Sequence, residues 1–293
     1  MLSVTIIGAG RVGGALAIAL SNAGCMVDEV RYRGERFVPI LQSRLPGKTR
    51  FIPHTEPFVS ASDVLIIASG DPDIRSLADS LSLAEKLPTF AFHTSGSLSS
   101  AELASLADRG VLTASLHPLA ALSEPVAGSE RFRDAYFCIE GEPAAVATAR
   151  AVAQDLGGIP FAVPTEAKSL YHASAVTAAG HVVALFATAV EMLARCGLSR
   201  EEAANVLRPL TAGSIANLQD RAPVEALTGP LARGDATALD RHLSAFDTFG
   251  IDKSTRELYL RLALRSVEMK IAAGSPFEHL RDRILMAKPD GEC

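Results

Sequence analysis

The sequence predicts an α/β protein, with a doubly wound, mainly parallel sheet over residues 1–164 followed by an all-helical second domain over residues 165–293. Three observations predict it. Short β-branched runs alternate with helical patterns through the first half, a glycine turn joins the first such run to the first helix, and no credible strand follows Pro164. A chain of 293 residues is long enough for two modest cores, the usual partition at this length.

Residues 4–7 read as the first strand, 12–23 as the helix after it and 27–32 as the second strand, and residues 64–68 and 74–83 repeat the pattern. Further strands are expected at 90–93, 112–116, 136–139 and 161–163, the last two separated by an alanine-rich helix over 144–156. After Pro164 come long helical patterns over 167–196, 200–219, 236–249 and 254–273, then a polar tail, 288–293, that is expected to be loose. The stretch from Tyr171 to Ala194 is apolar enough to be scored as a membrane span. It carries His172, His181 and Glu191, which are costly in lipid, so it is read as a buried helix of a soluble core.

Composition narrows the function classes. Hydrophobic residues make up 48% and charged residues 21%, and a net charge of −5 gives no reason to expect a nucleic-acid partner. Cys25, Cys138, Cys196 and Cys293 are scattered, without zinc-ligand spacing or a disulfide framework. The chain enters its first strand without a basic leader, so a cytoplasmic protein is expected.

Gly8-Ala9-Gly10-Arg11-Val12-Gly13 follows a strand and opens a helix, the context in which a G-x-G-x-x-G pattern receives a dinucleotide pyrophosphate. Gly8 permits the tight turn, Gly10 lets the backbone approach the phosphates, and Gly13 lets the helix pack on the strand. Free N–H groups of the first helical turn would face the charge. About the second strand's end, Arg31 and Arg33 lie eighteen and twenty residues beyond Gly13, with Arg36 close behind. Guanidinium forks there suit the 2′-phosphate of NADP(H) better than the diol of NAD, while Asp28 and Glu29 come too early for the ribose. Ser69-Gly70-Asp71 follows the strand at 64–68 and is expected to border the cofactor.

His93, His117 and His172 each follow a strand or begin a helix, where cleft residues gather, whereas His54 and His279 read as surface residues. Lys168 and His172 are four residues apart and share a helix face, with His181 on the opposite one. If Thr165 caps that helix, Lys168 lies in its first turn, where the macrodipole disfavours a cation and presses its pKa down, as suits a proton donor. Asp235, after Leu227-Thr228-Gly229-Pro230, reads as the cap of the next helix.

On these segments, together with His93-Thr94-Ser95-Gly96-Ser97, Ser115-Leu116-His117-Pro118, Lys168–His172 and residues 226–235, the chain resembles the two-domain oxidoreductase-like proteins that join a Rossmann-like domain to a domain of unknown function of the DUF2520 type. The wider group is similar to the superfamily of 6-phosphogluconate dehydrogenase, ketopantoate reductase, pyrroline-5-carboxylate reductase and prephenate dehydrogenase. The resemblance implies a Rossmann sheet, NADP(H) and a lysine, here Lys168, that assists proton transfer to the substrate oxygen. His172 stands where relatives carry asparagine, and His117 matches a His-Pro segment near the prephenate dehydrogenase site.

The expected activity is therefore hydride transfer between NADP(H) and a small carboxylate-bearing carbonyl or hydroxy metabolite, a 2-keto acid such as ketopantoate being the best single guess. Lys168 would donate the proton or bind the substrate oxygen, His172 and His117 would orient the substrate, and the helix N-terminus with Ser95 would hold its carboxylate. An imine reductase and a non-catalytic NADP(H) sensor are the alternatives. Long apolar helices in the second domain lead us to expect a homodimer formed through it.

Overall fold

The computed structural model describes residues 2–58 and 62–287, so the loose tail expected at 288–293 lies outside the described residues. The chain divides into two compact units, Met1–Ala179 and Gly180–Cys293.

The first unit is built on eight strands: β1 (Ser3–Ile7), β2 (Met26–Tyr32), β3 (Arg50–Pro53), β4 (Val64–Ile67), β5 (Phe90–His93), β6 (Leu112–Leu119), β7 (Tyr136–Gly141) and β8 (Ile159–Phe161). They form one sheet in the order β3-β2-β1-β4-β5-β6-β7-β8, parallel throughout except for the antiparallel pair β6–β7. The central strands are apolar on both sides because both faces are covered, and β4, Val-Leu-Ile-Ile, is buried at every residue. Val4, Ile6, Val64, Ile66 and Phe92 pack with helices Arg11–Asn22 and Pro143–Asp155 on one face. Ile7, Leu65, Ile67 and Ala91 pack with helix Asp71–Leu81 on the other, as the period of two requires.

The differences from the expected elements have physical causes. β3, Arg-Phe-Ile-Pro, is a short, partly exposed edge strand without apolar alternation, and it ends in a proline that an edge tolerates. β8 lies two residues earlier than expected, with Pro160 on the opposite edge. β6 runs on to Leu119 because the antiparallel β7 gives its last residues partners, so His117, expected just past the strand, lies within it opposite Cys138.

The second unit holds helices Gly180–Ala194, Arg200–Asp220, Ala236–Thr248, Lys253–Ala272 and Glu278–Met286, the last not foreseen. Leu239, Leu260, Val267, Leu280 and Ile284 form its core. Ser199 and Glu202 make a reciprocal capping box, and Asp235 caps its helix as expected, accepting from the Ala238 N–H at 2.9 Å.

The single helix expected over 167–196 is interrupted. It becomes Lys168–Ala178 and Gly180–Ala194, with Ala179 at φ −117°, ψ −67° and a glycine next, the poorest helix former after proline. Thr165 does not cap it either, since a 3₁₀ turn, Thr165–Ala167, leads into the helix. Nor is the stretch buried. Thr165–Ala194 is long and apolar enough to cross a membrane by length and composition, and only 6% of its most apolar window is covered within this chain. His181 is exposed.

The turn after β1 supplies a stability test. A Cβ on Gly13 would stand 1.9 Å from the Gly8 carbonyl oxygen. Gly13→Ala should therefore destabilise the fold by roughly 1–3 kcal/mol, the usual cost of overpacking, read as a lower urea midpoint. An unchanged midpoint would mean that helix and strand separate freely there.

Candidate active site

The site follows from strand register. Ile7 pairs with Ile67, Ile67 with His93, His93 with Ser115 and Ser115 with Glu140, so the carboxyl ends of β1, β4, β5 and the middle of β6 align along one edge of the sheet. Chain order reverses between β1 and β4, the switch point at which open α/β sheets bind ligands.

At that point the glycine turn is shaped by what surrounds it. Gly8 has φ +112°, and a Cβ on it would stand 2.5 Å from the Ala68 carbonyl oxygen, whereas a Cβ on Gly10 would meet nothing within 4 Å. Two glycines are thus demanded by packing, and the middle one faces open space. That space is a cavity of about 450 Å³ lined by Gly8, Ala9, Gly10, Ser69 and Gly70 among others. No side chain caps the helix that begins at Arg11, and the Gly14 N–H is the one satisfied by Gly10, at 2.9 Å. The preceding N–H groups, of Arg11, Val12 and Gly13, sit in the first turn, the position at which helices receive anions. A dinucleotide pyrophosphate fits this arrangement.

The arginines divide. Arg31 reaches the cavity wall, but its side chain is 5% exposed and its guanidinium is held by Glu29 and by the carbonyls of Glu56 and Pro57. Arg33, 74% exposed, pairs with Asp73 at 3.2 Å, the sort of surface pair worth about 0–1 kcal/mol. Arg36 lies over the Phe37 ring, 4.9 Å from its centroid, and also lines the cavity. His54, read from sequence as an ordinary surface residue, lines it too, carried there by the unforeseen strand β3.

A second cluster lies further along the edge. Lys168 is 1% exposed. Its ammonium donates to the Ser115 hydroxyl at 2.5 Å and to the Ser95 carbonyl at 3.2 Å, and it lies 3.9 Å from a carboxylate oxygen of Glu140. Glu140 also accepts from the Ser100 N–H at 2.7 Å and from the hydroxyls of Ser100 and Thr165. Burial lowers the Lys168 pKa and the Glu140 charge opposes that. His93 is fully buried, and both its nitrogens are engaged, Nε2 with the Ser99 carbonyl at 2.9 Å and Nδ1 accepting from the Ser95 N–H at 3.2 Å. The His93 imidazole thus shapes the turn, its own pKa lowered chiefly by burial. The Ser95 hydroxyl does the same, accepting from the Ser97 and Leu98 N–H groups. Asp71 accepts from the Ser97 hydroxyl at 2.6 Å.

Gly96, at the tip of that turn, brings two imidazoles together. A Cβ there would stand 2.6 Å from His172 Cδ2 and 2.8 Å from His117 Cε1. The rings of His117 and His172 meet edge to face at 5.8 Å, and His117 Nδ1 shares a 2.7 Å hydrogen bond with the Tyr171 hydroxyl. Burial, and after it the Lys168 ammonium, hold the His117 pKa down to about 4, while burial raises that of Tyr171. Lys168 and His172 do share a face turned to one loop. Glu140 escapes the sequence reading, since a glutamate in a strand carries no motif and only the β6–β7 register reveals it; Tyr171 lies within the Lys168–His172 segment, but its partner appears only in the fold.

The Rossmann-like domain family matches residues 1–118 and the domain of unknown function DUF2520 matches residues 135–266. No sequence among curated proteins matches. A Bacteroides fragilis protein assigned as an NADP oxidoreductase has a similar structure, with TM-score 0.71 and 22% identity over 91% of this chain and 98% of that one. A reductive aminase from Aspergillus terreus, in complex with NADPH and ethyl levulinate, follows with TM-score 0.62 and 17% identity over 97% and 99%. A pyrroline carboxylate reductase from Plasmodium falciparum with NADP bound has TM-score 0.56 and 16% identity over 92% and 98%. At these identities the likeness is one of fold.

The His117 environment sets a pH test. The unfolded chain takes up this proton near 6.5 and the folded chain only near 4, so the stability His117 contributes is whole above pH 6.5 and is lost as pH falls from there towards 4. Its ring resonances should stay those of neutral imidazole at pH 5.5, and His117→Gln should flatten the fall in urea midpoint between pH 7 and 5. A ring titrating near 6.5 would contradict the burial described.

Proposed function

Because the chain belongs to the proteins that join a Rossmann-like domain to a DUF2520 domain, we propose that it is an NADP(H)-dependent reductase acting on a C=N or C=O bond of a small molecule. The observation that carries this reading is the glycine turn, closed by packing at Gly8 and Gly13 and open at Gly10, along one sheet edge with His117. When bound, NADPH supplies the hydride.

The amides of residues 11–13 would hold the pyrophosphate, and Ser69 and Gly70 would border it. Arg33 and Arg36 would take the 2′-phosphate, since the guanidinium of Arg31 is already committed; NAD would leave those two unmatched. The sequence reading has Lys168 donate the proton or bind the substrate oxygen; since that ammonium is buried and engaged, we assign contact with the substrate to His117. His117 is neutral at pH 7 and, oriented by Tyr171, offers the substrate a hydrogen bond without carrying charge. Lys168 would act through the loop it holds, and His172 would steady the His117 ring by its edge-to-face contact. A cyclic imine is the first substrate we would test, because one structural counterpart is a pyrroline carboxylate reductase, and a 2-keto acid the second; ketopantoate has no counterpart among these three.

Two features extend the reading. Val183, Val206 and Leu210 of the second unit are 69%, 58% and 68% exposed, an apolar surface that a second copy of the chain would cover to give a homodimer. The described cysteines are free thiols, which fits work in the cytoplasm.

Calorimetry should register NADPH binding, with Arg33→Ala/Arg36→Ala reducing its preference over NADH by about tenfold or more, the worth of a lost charged hydrogen bond. His117→Asn should lower turnover of cyclic imines while leaving NADPH affinity intact. A folded sample that binds neither nucleotide would overturn the proposal. Leu210→Glu should shift a sedimenting dimer towards monomer, and a wild-type chain monomeric at micromolar concentration would remove the dimer.

A further inference from the structure

A separate chamber lies wholly within the second unit, and the dinucleotide reading makes no use of it. It measures about 210 Å³ and is lined by Leu227, Thr228, Pro230, Leu231 and Ala232 from the segment before Asp235, and by His242, Tyr259 and Ser266 from two helices. His242 Nδ1 shares a 2.7 Å hydrogen bond with the Tyr259 hydroxyl, and the rings meet edge to face at 5.9 Å and 84°. The pairing repeats that of His117 with Tyr171, at 2.7 Å, 5.6 Å and 81°.

The floor of the chamber is fixed in advance. The Pro230 carbonyl accepts from the N–H groups of Arg233 and Asp235 at 3.0 and 3.1 Å, closing the loop. Gly234 has φ +76°, and a Cβ there would stand 2.6 Å from the Phe277 ring, so the loop is pressed onto the helical core. Such a wall keeps its shape when empty, as small-molecule sites do.

The chemistry of the lining narrows the occupant. Whichever way the shared proton lies, one donor is left over: imidazole Nε2–H if the phenol donates to Nδ1, phenol O–H if Nδ1–H donates to the phenol. An acceptor oxygen on the ligand is therefore met in either arrangement, whereas a ligand donor finds an imidazole acceptor only in the second. Lysine, arginine, aspartate and glutamate are all missing from the residues that line the chamber, and half of those residues are aliphatic, so a carboxylate would lose its hydration without a counter-charge. A dry cavity of about 150 Å³ suffices for benzene, so this one has room for a six-membered ring bearing a substituent.

We propose that this chamber is a binding site for a small, uncharged carbonyl compound, a ketone or ester of about that size, held by the His242–Tyr259 pair. The proposal stands apart from the nucleotide site.

Cyclohexanone is a suitable probe, titrated into the full-length protein and followed by ligand-observed NMR. Saturable binding is expected, stronger than that of cyclohexanecarboxylate. It should weaken at least about tenfold in the double variant His242→Leu/Tyr259→Phe, which removes both donors, and in Ala232→Leu, which fills the space, while NADPH affinity stays as in the wild type. Should the double variant fail to fold, ring-labelled tyrosine in the wild-type chain gives the same answer, because the Tyr259 resonances should move with the ketone. Absence of saturable binding to the wild type, preference for the carboxylate, unchanged affinity in Ala232→Leu, or loss of binding in His117→Asn alone would each overturn the proposal.

Discussion

The buried ammonium of Lys168 is the constraint around which the candidate site is arranged. A cation at 1% exposure survives only with partners, and the partners it has come from four places: the Ser95 carbonyl after β5, the Ser115 hydroxyl on β6, the Glu140 carboxylate on β7 and, through that carboxylate, the Thr165 hydroxyl before its own helix. Ser115 and Glu140 face it together because they are register partners across the antiparallel pair. Losing Glu140 would leave the charge uncompensated and losing Ser95 or Ser115 would leave a buried donor unmet, so a single β6–β7 slip, which moves Ser115 and Glu140 together, would cost the whole cluster and not one contact. The helix start adds a further reason for company, since its dipole opposes a positive charge there.

From that anchor the arrangement propagates outward. The loop held at Ser95 presents Gly96, the absence of a side chain at Gly96 admits two imidazoles, and the fixed charge nearby helps keep His117 neutral. Histidines of similar appearance in sequence are thereby placed differently. His93 spends both nitrogens on its own loop, whereas His117 spends one on Tyr171.

Much of this was legible in the sequence. The glycine turn, the alternation of strands and helices, the change of texture after Pro164 and the shared face of Lys168 and His172 rest on local periodicity, which survives folding almost unaltered. What escaped rests on partners distant in the chain. β3 is recognisable only as an edge beside β2, and with it His54 joins the cavity. The commitment of Arg31 depends on carbonyls twenty-five residues away. Glu140 has no motif, and its importance arises from a pairing direction that no run of residues announces. The interruption at Ala179 was half legible, in the glycine that follows it.

The neutrality of His117 bears on which double bond the site would reduce. Hydride addition to a carbonyl leaves an alkoxide that must gain a proton, and a neutral imidazole is a feeble acid for that purpose. Hydride addition to an already protonated imine leaves a neutral amine and asks for no donor at all. What such a substrate needs is an acceptor for its N–H, and His117 supplies one at Nε2 when Nδ1–H donates to the Tyr171 oxygen. The other tautomer, with the phenol donating, offers Nε2–H to a carbonyl oxygen instead. Which of the two groups donates in the His117–Tyr171 bond therefore decides whether the ring can meet an N–H or a carbonyl oxygen.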